Sequence, residues 1–86
     1  MGLGMTRFLF TLEYDGKHHY EVQDQIGAEM ITAETITRAV KELASKKKLR
    51  VEAYDLLADN SYRVFLYKRP LLKKPIKLVY KVIIEE

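Results

Sequence analysis

The chain has 86 residues, 48% hydrophobic and 31% charged, a balance that fits a folded globular chain and excludes a disordered polar tail. That length supports one core, so a single domain over residues 1–86 is expected, with little room for a deep substrate pocket. The net charge of +3 is divided: residues 1–43 carry four cations against seven anions, and residues 44–86 carry eleven against five, a field that draws polyanions or acidic partners to one region.

Residues 1–5 read as a flexible leader, in which Met1-Gly2-Leu3-Gly4-Met5-Thr6 fits the pattern for acylation of Gly2. Arg7 to Tyr14 reads as a strand, with Phe8, Phe10, Leu12 and Tyr14 alternating against Arg7, Leu9, Thr11 and Glu13. Asp15-Gly16 supplies residues that tolerate positive φ in a tight turn. His18 to Gln23 is then expected to return as the second strand, with Tyr20 and Val22 facing the core.

Residues 24–31 read as irregular around Gly27. Thr32 is the expected N-cap of a helix from Ala33 to Lys47, with Ile31 and Ile36 as a hydrophobic staple. Ile36, Ala39, Val40, Leu43 and Ala44 recur at helical spacing and form its apolar stripe.

Three strands follow. Leu49 to Leu57 alternates Leu49, Val51 and Ala53 with Arg50, Glu52 and Tyr54. Asp59-Asn60-Ser61 is a turn cluster, and Tyr62 to Lys68 reads as the fourth strand. Pro70 and Pro75 bracket a connection, and Ile76 to Ile84 forms the fifth strand with its even-numbered side chains buried.

The resulting class is α+β: one sheet of about five strands with one helix on one face, in the order β-β-α-β-β-β. That order of elements resembles the ubiquitin-like β-grasp fold. The chain ends in Glu85-Glu86 and lacks the Gly-Gly terminus of the conjugated members, so the likeness implies no conjugating role.

No chemistry-bearing constellation stands out. The chain has no cysteine, which excludes disulfides and thiolate sites and fits a reducing cytoplasm, the expected location. No apolar run approaches the ~20 residues that span a bilayer. His18 and His19 are adjacent on an expected strand, so they face opposite ways and do not converge on a metal. No catalytic triad, phosphate-cradling loop or metal-ligand spacing is present, so no enzyme activity, metal or cofactor is expected.

Binding is the expected role. Lys46, Lys47 and Lys48 stand where a helix ends, and cations there offset the macrodipole. They can also extend a basic, aromatic sheet face built from Arg50, Arg63, Phe65, Tyr67, Arg69, Lys77 and Lys81. Single-stranded nucleic acid uses such a face, with phosphates on cations and bases on rings. The register of the fourth strand decides it, since a shift of one residue exposes Tyr62, Val64 and Leu66 instead. Leu71 and Leu72, flanked by Lys68, Arg69, Lys73 and Lys74, are expected to fold back over the core; their alternative is a partner contact. The competing reading is a protein-interaction module, an adaptor subunit or a host-directed factor of a phage or mobile element, docking on an acidic protein.

Overall fold

Phe8, Phe10 and Leu12 alternate with Arg7, Leu9, Thr11 and Glu13, and the first strand turns Phe8 and Phe10 into the core. The computed structural model describes residues 4–85, and Gly2 with its acylation pattern lies outside the described residues. Strand β1 (Thr6–Tyr14) is flanked by β2 (Glu29–Ala33) and β5 (Ile76–Glu85). β4 (Tyr62–Lys68) pairs with β5, and β3 (Arg50–Leu56) closes the sheet as an edge. The strand order is β2-β1-β5-β4-β3 and every pairing is antiparallel. With helix α1 (Ile36–Lys47) on one face, the α+β class and the order β-β-α-β-β-β are those expected. Among the described residues no helix is long and apolar enough to cross a membrane.

The core lies between α1 and the sheet. Ala39, Val40, Leu43 and Ala44 of α1 pack with Phe8 and Phe10, Ile31 and Ala33, Val64 and Leu66, and Tyr80 and Val82. The Phe10 and Tyr80 rings meet edge to face at 6.3 Å, a favoured aromatic geometry. β3 adds the half-buried Tyr54, whose hydroxyl hydrogen-bonds the Thr37 hydroxyl of α1. Among the described residues no α-helix lies over the opposite sheet face, and this positions the candidate site.

The first hairpin differs from expectation. Its turn is present: Asp15 accepts the backbone N–H groups of Lys17 and His18 at 2.8 and 2.6 Å, and Gly16 has φ 96°. The returning strand is not: only His19 bridges to Tyr14, and Val22–Asp24 forms a short 3-10 turn. β1 pairs instead with Glu29–Ala33, which joins the end of the stretch expected to be irregular to the expected start of the helix. The reason is burial. Ile31 and Ala33 are buried under α1, whereas Tyr20 and Val22 stay partly exposed.

Drawing residues 29–33 into the sheet moves the helix start. Thr32 stands opposite Arg7 in the ladder, so it does not cap. Thr35 does, its hydroxyl accepting the Arg38 N–H at 3.2 Å, and α1 begins at Ile36 rather than Ala33. Ile31 is a sheet-core residue and not half of a staple.

Further along, a bulge at Glu52 reverses the expected facing of β3. Val51 opposes Leu66, but Ala53 opposes Phe65 and Tyr54 opposes Val64, which turns Tyr54 to the helix side and Ala53 to the open side. On β5, Tyr80 and Val82 are buried while Ile76 and Ile84 are 39% and 36% exposed. A twelve-residue helix is about 18 Å long and a ten-residue strand about 33 Å, so α1 does not cover both ends of β5.

Leu71 and Leu72 do not cap the core; they are 87% and 98% exposed. The last rung of the β4–β5 ladder is Lys68 opposite Ile76, one beyond Tyr67–Lys77 and two beyond Leu66–Leu78. Residues 69–75 therefore lie past the end of the strand ladder, and Leu71 and Leu72 at their tip stay in solvent.

Candidate functional site

The register of β4 against β5 is the one that builds the basic, aromatic face. Val64 opposes Tyr80 and Leu66 opposes Leu78, all toward the helix. Arg63 opposes Lys81, Phe65 opposes Val79 and Tyr67 opposes Lys77, all toward the open side. Arg50 joins them from β3, opposite Tyr67. The rings of Phe65 and Tyr67 are partly buried and stand two residues apart, about 6.6 Å along the strand.

Electrostatics divides this face in two. At the end nearer the 57–61 connection, the cations are held by carboxylates. Arg63 donates to Glu13 of β1 through Nε at 2.8 Å and Nη2 at 3.1 Å, reaching across β5. A bulge at Glu13 between Leu12 and Tyr14 accompanies this contact. Lys81 Nζ lies 3.2 Å from Asp59, whose carboxylate also accepts the Ser61 hydroxyl and N–H. The Ser61 hydroxyl and N–H and then Lys81 hold the Asp59 carboxyl at about 2.

The helix-end lysines are also partly accounted for. Lys46 and Lys47 sit 2.8 and 3.4 Å from Glu29 of β2, and their contacts hold that carboxyl below its usual range. They lie on the helix side and are not part of the open face. Lys48 takes φ 57° as the C-cap, its N–H bonding the Ala44 and Ser45 carbonyls.

The other end of the face is different. Lys77 reaches Glu52 only at 3.7 Å with both side chains half exposed, and its ammonium lies 5.6 Å from the Phe65 ring centre. The Arg69 guanidinium lies 5.8 Å from the centre of the Tyr67 ring. Among the described residues, Lys48, Arg50, Lys68, Arg69, Lys73 and Lys74 make no ion pair. Because Arg50 opposes Tyr67 and Lys68 opposes Ile76, the start of β3 and the β4–β5 connection share this end.

Two features of the site were not foreseen from sequence. One is Glu13, half a chain away from Arg63. The other is an open cleft of about 440 Å³ beside the Arg63–Glu13 pair, walled by Tyr14, His19, Tyr20 and Phe65. His19 stacks on Tyr14 with ring centres 4.6 Å apart. Tyr20 donates its hydroxyl to Asp15 at 2.7 Å; the His18 N–H, this hydroxyl and the Lys17 N–H hold the Asp15 carboxyl at about 2. Three of the cleft's polar side chains, Glu13, Arg63 and Tyr20, are thus already engaged. Among the described residues no three His, Cys, Asp or Glu side chains are grouped to hold a metal ion.

Comparison with known proteins found no matching family model, no matching curated sequence and no matching solved structure.

Proposed function

We propose that the chain is a non-enzymatic binding protein that takes single-stranded nucleic acid on the half of its open face nearest the β4–β5 connection. One observation carries this reading: Phe65 and Tyr67 stand side by side on an open sheet face, Arg50 and Arg69 lie beside Tyr67, and at this end of the molecule Lys48, Lys68, Lys73 and Lys74 likewise make no ion pair among the described residues. Bases stack on such rings at ~1–3 kcal/mol each, and free cations neutralise phosphates. Arg50, Arg69, Lys48, Lys68, Lys73 and Lys74 are the phosphate contacts in this reading, with Lys77 beside the rings. Arg63, Lys81, Lys46 and Lys47 serve the fold through their ion pairs.

The test is fluorescence anisotropy with labelled single strands of mixed sequence across a salt series. Binding should be sequence-tolerant and fall linearly in log salt, and Tyr67→Ala should weaken it about tenfold without altering the slope. Absence of binding at low salt overturns the reading. A second reading, docking on an acidic protein, is favoured by the exposure of Leu71 and Leu72. It expects association that persists as salt rises.

A further inference from the structure

The β4–β5 connection has features that phosphate binding alone does not require. Pro70 to Lys73 forms a turn closed by the Lys73 N–H on the Pro70 carbonyl at 3.4 Å. Leu71 and Leu72 are its two central residues, and Leu72 takes φ 63°. Glycine or asparagine ordinarily fills that position, because a β-carbon is disfavoured there. The chain thus places two leucines in solvent at the tip of a turn and holds one in a conformation that leucine avoids. Pro70 and Pro75 restrict both feet of the loop, so its shape is largely set before any partner arrives.

The charges carried by this segment itself are all of one sign. Between Lys68 and Leu78 there are five cations and no carboxylate, with Lys68 and Arg69 on one side of the leucines and Lys73 and Lys74 on the other. An apolar wedge between two sets of phosphate-binding cations is the arrangement with which proteins part or cap stacked bases. The wedge also continues the ring platform. Phe65 and Tyr67 follow one another along β4 toward the loop, and Arg69 joins the two regions by lying against Tyr67.

We infer that the ligand is a junction between single and double strand: the single strand lies over Phe65 and Tyr67, and Leu71 and Leu72 cap the first base pair of the duplex it leaves. This rests on the single-strand reading above and names its substrate more narrowly. An anionic bilayer would also accept a basic tip bearing leucines. It would make no use of rings set back on the sheet face, so the junction accounts for more of this end of the molecule.

The experiment compares three labelled probes: a short duplex with a single-stranded tail, the tail alone, and the blunt duplex. The protein should bind the tailed duplex more tightly than the tail. The double variant Leu71→Ser, Leu72→Ser keeps every charge and touches no core residue; it should bind the tail as before and lose about tenfold on the tailed duplex. Because the chain has no tryptophan, Leu72→Trp gives a clean second readout. The indole so introduced should be quenched by the tailed duplex and not by the tail. Unchanged junction preference in the serine variant overturns the wedge and leaves single-strand binding standing. Failure of every probe to bind overturns both. An indole that shifts to the blue on phosphatidylserine vesicles, yet is untouched by the tailed duplex, assigns the tip to lipid and overturns the wedge.

Discussion

Arg63 and Glu13 are joined across the full width of β5, a guanidinium on β4 giving two hydrogen bonds, 2.8 and 3.1 Å, to a carboxylate on β1. The pair ties the acidic first half of the chain to the basic second half and takes Arg63 out of the pool of phosphate contacts. Paired, planar geometry makes this the strongest ion pair on the open face. A double-mutant cycle with Arg63→Ala and Glu13→Ala should show a coupling of about 1 kcal/mol in urea unfolding, since both groups are partly exposed. A coupling near zero would mean that the contact does not hold the strands.

The division of the face into paired and unpaired cations makes a second prediction. Arg69→Ala should lower the slope of log affinity against log salt by about 0.7–1, as expected for one lost phosphate contact. Lys81→Ala should leave the slope unchanged and lower stability slightly, because its ammonium is engaged by Asp59 and its side chain is only 20% exposed. The reverse pattern would place the nucleic acid at the opposite end of the sheet.

β4 was legible because Val64 and Leu66 alternate with Arg63, Phe65 and Tyr67, and because β5 beside it has one unmistakable apolar face. Which parity β4 takes against β5 was left open by the sequence, and the pairing of Val64 with Tyr80 is what turns Arg63, Phe65 and Tyr67 to the open side. The first hairpin was not legible. Tyr20 and Val22 offer the same period of two as Ile31 and Ala33, and only the space beneath α1 chooses between them. Thr32 and Thr35 are equivalent caps by residue type, and their roles follow from where β2 ends. Bulges leave no local mark, so the turning of Tyr54 toward α1 could not be read. Nor could the ion pairs of Arg63 and Lys81, whose partners are brought alongside only by strand order and loop position.

Gly16 is a structural position. At φ 96° a β-carbon is disfavoured, and one built there would lie 2.5 Å from Ile76 Cγ2 and 3.3 Å from the Lys77 carbonyl. Gly16→Val should cost about 1–3 kcal/mol in unfolding free energy through this crowding and strain. The folded fraction should bind single strands with wild-type affinity. A variant of normal stability that no longer binds would make this turn part of the site.

The acid limb of stability should reflect two turns. Asp15 and Asp59 are each held at about 2 in the folded chain against an ordinary 3.8. A depressed folded value favours the ionised, folded form. Its contribution is complete above pH 3.8 and is lost as pH falls through about 2. The double variant Asp15→Asn, Asp59→Asn should therefore show a flatter decline of urea midpoint over that window. An equally steep decline would assign the acid sensitivity to other carboxylates.

The place of β5 between β1 and β4 bears on how the chain is made. Until residues 76–85 have emerged, β1 with β2 and β3 with β4 are two separate ribbons, each too small to persist alone. The inner edges of both then stand open, and the apolar stripe of α1 has only fragments of sheet to cover it. Assembly is thus deferred to β5, and until it docks the gap it fills is open to the equivalent strand of a neighbouring chain wherever nascent chains are crowded. Crowded synthesis should accordingly produce strand-exchanged dimers, whereas dilute refolding should produce the closed monomeric sheet.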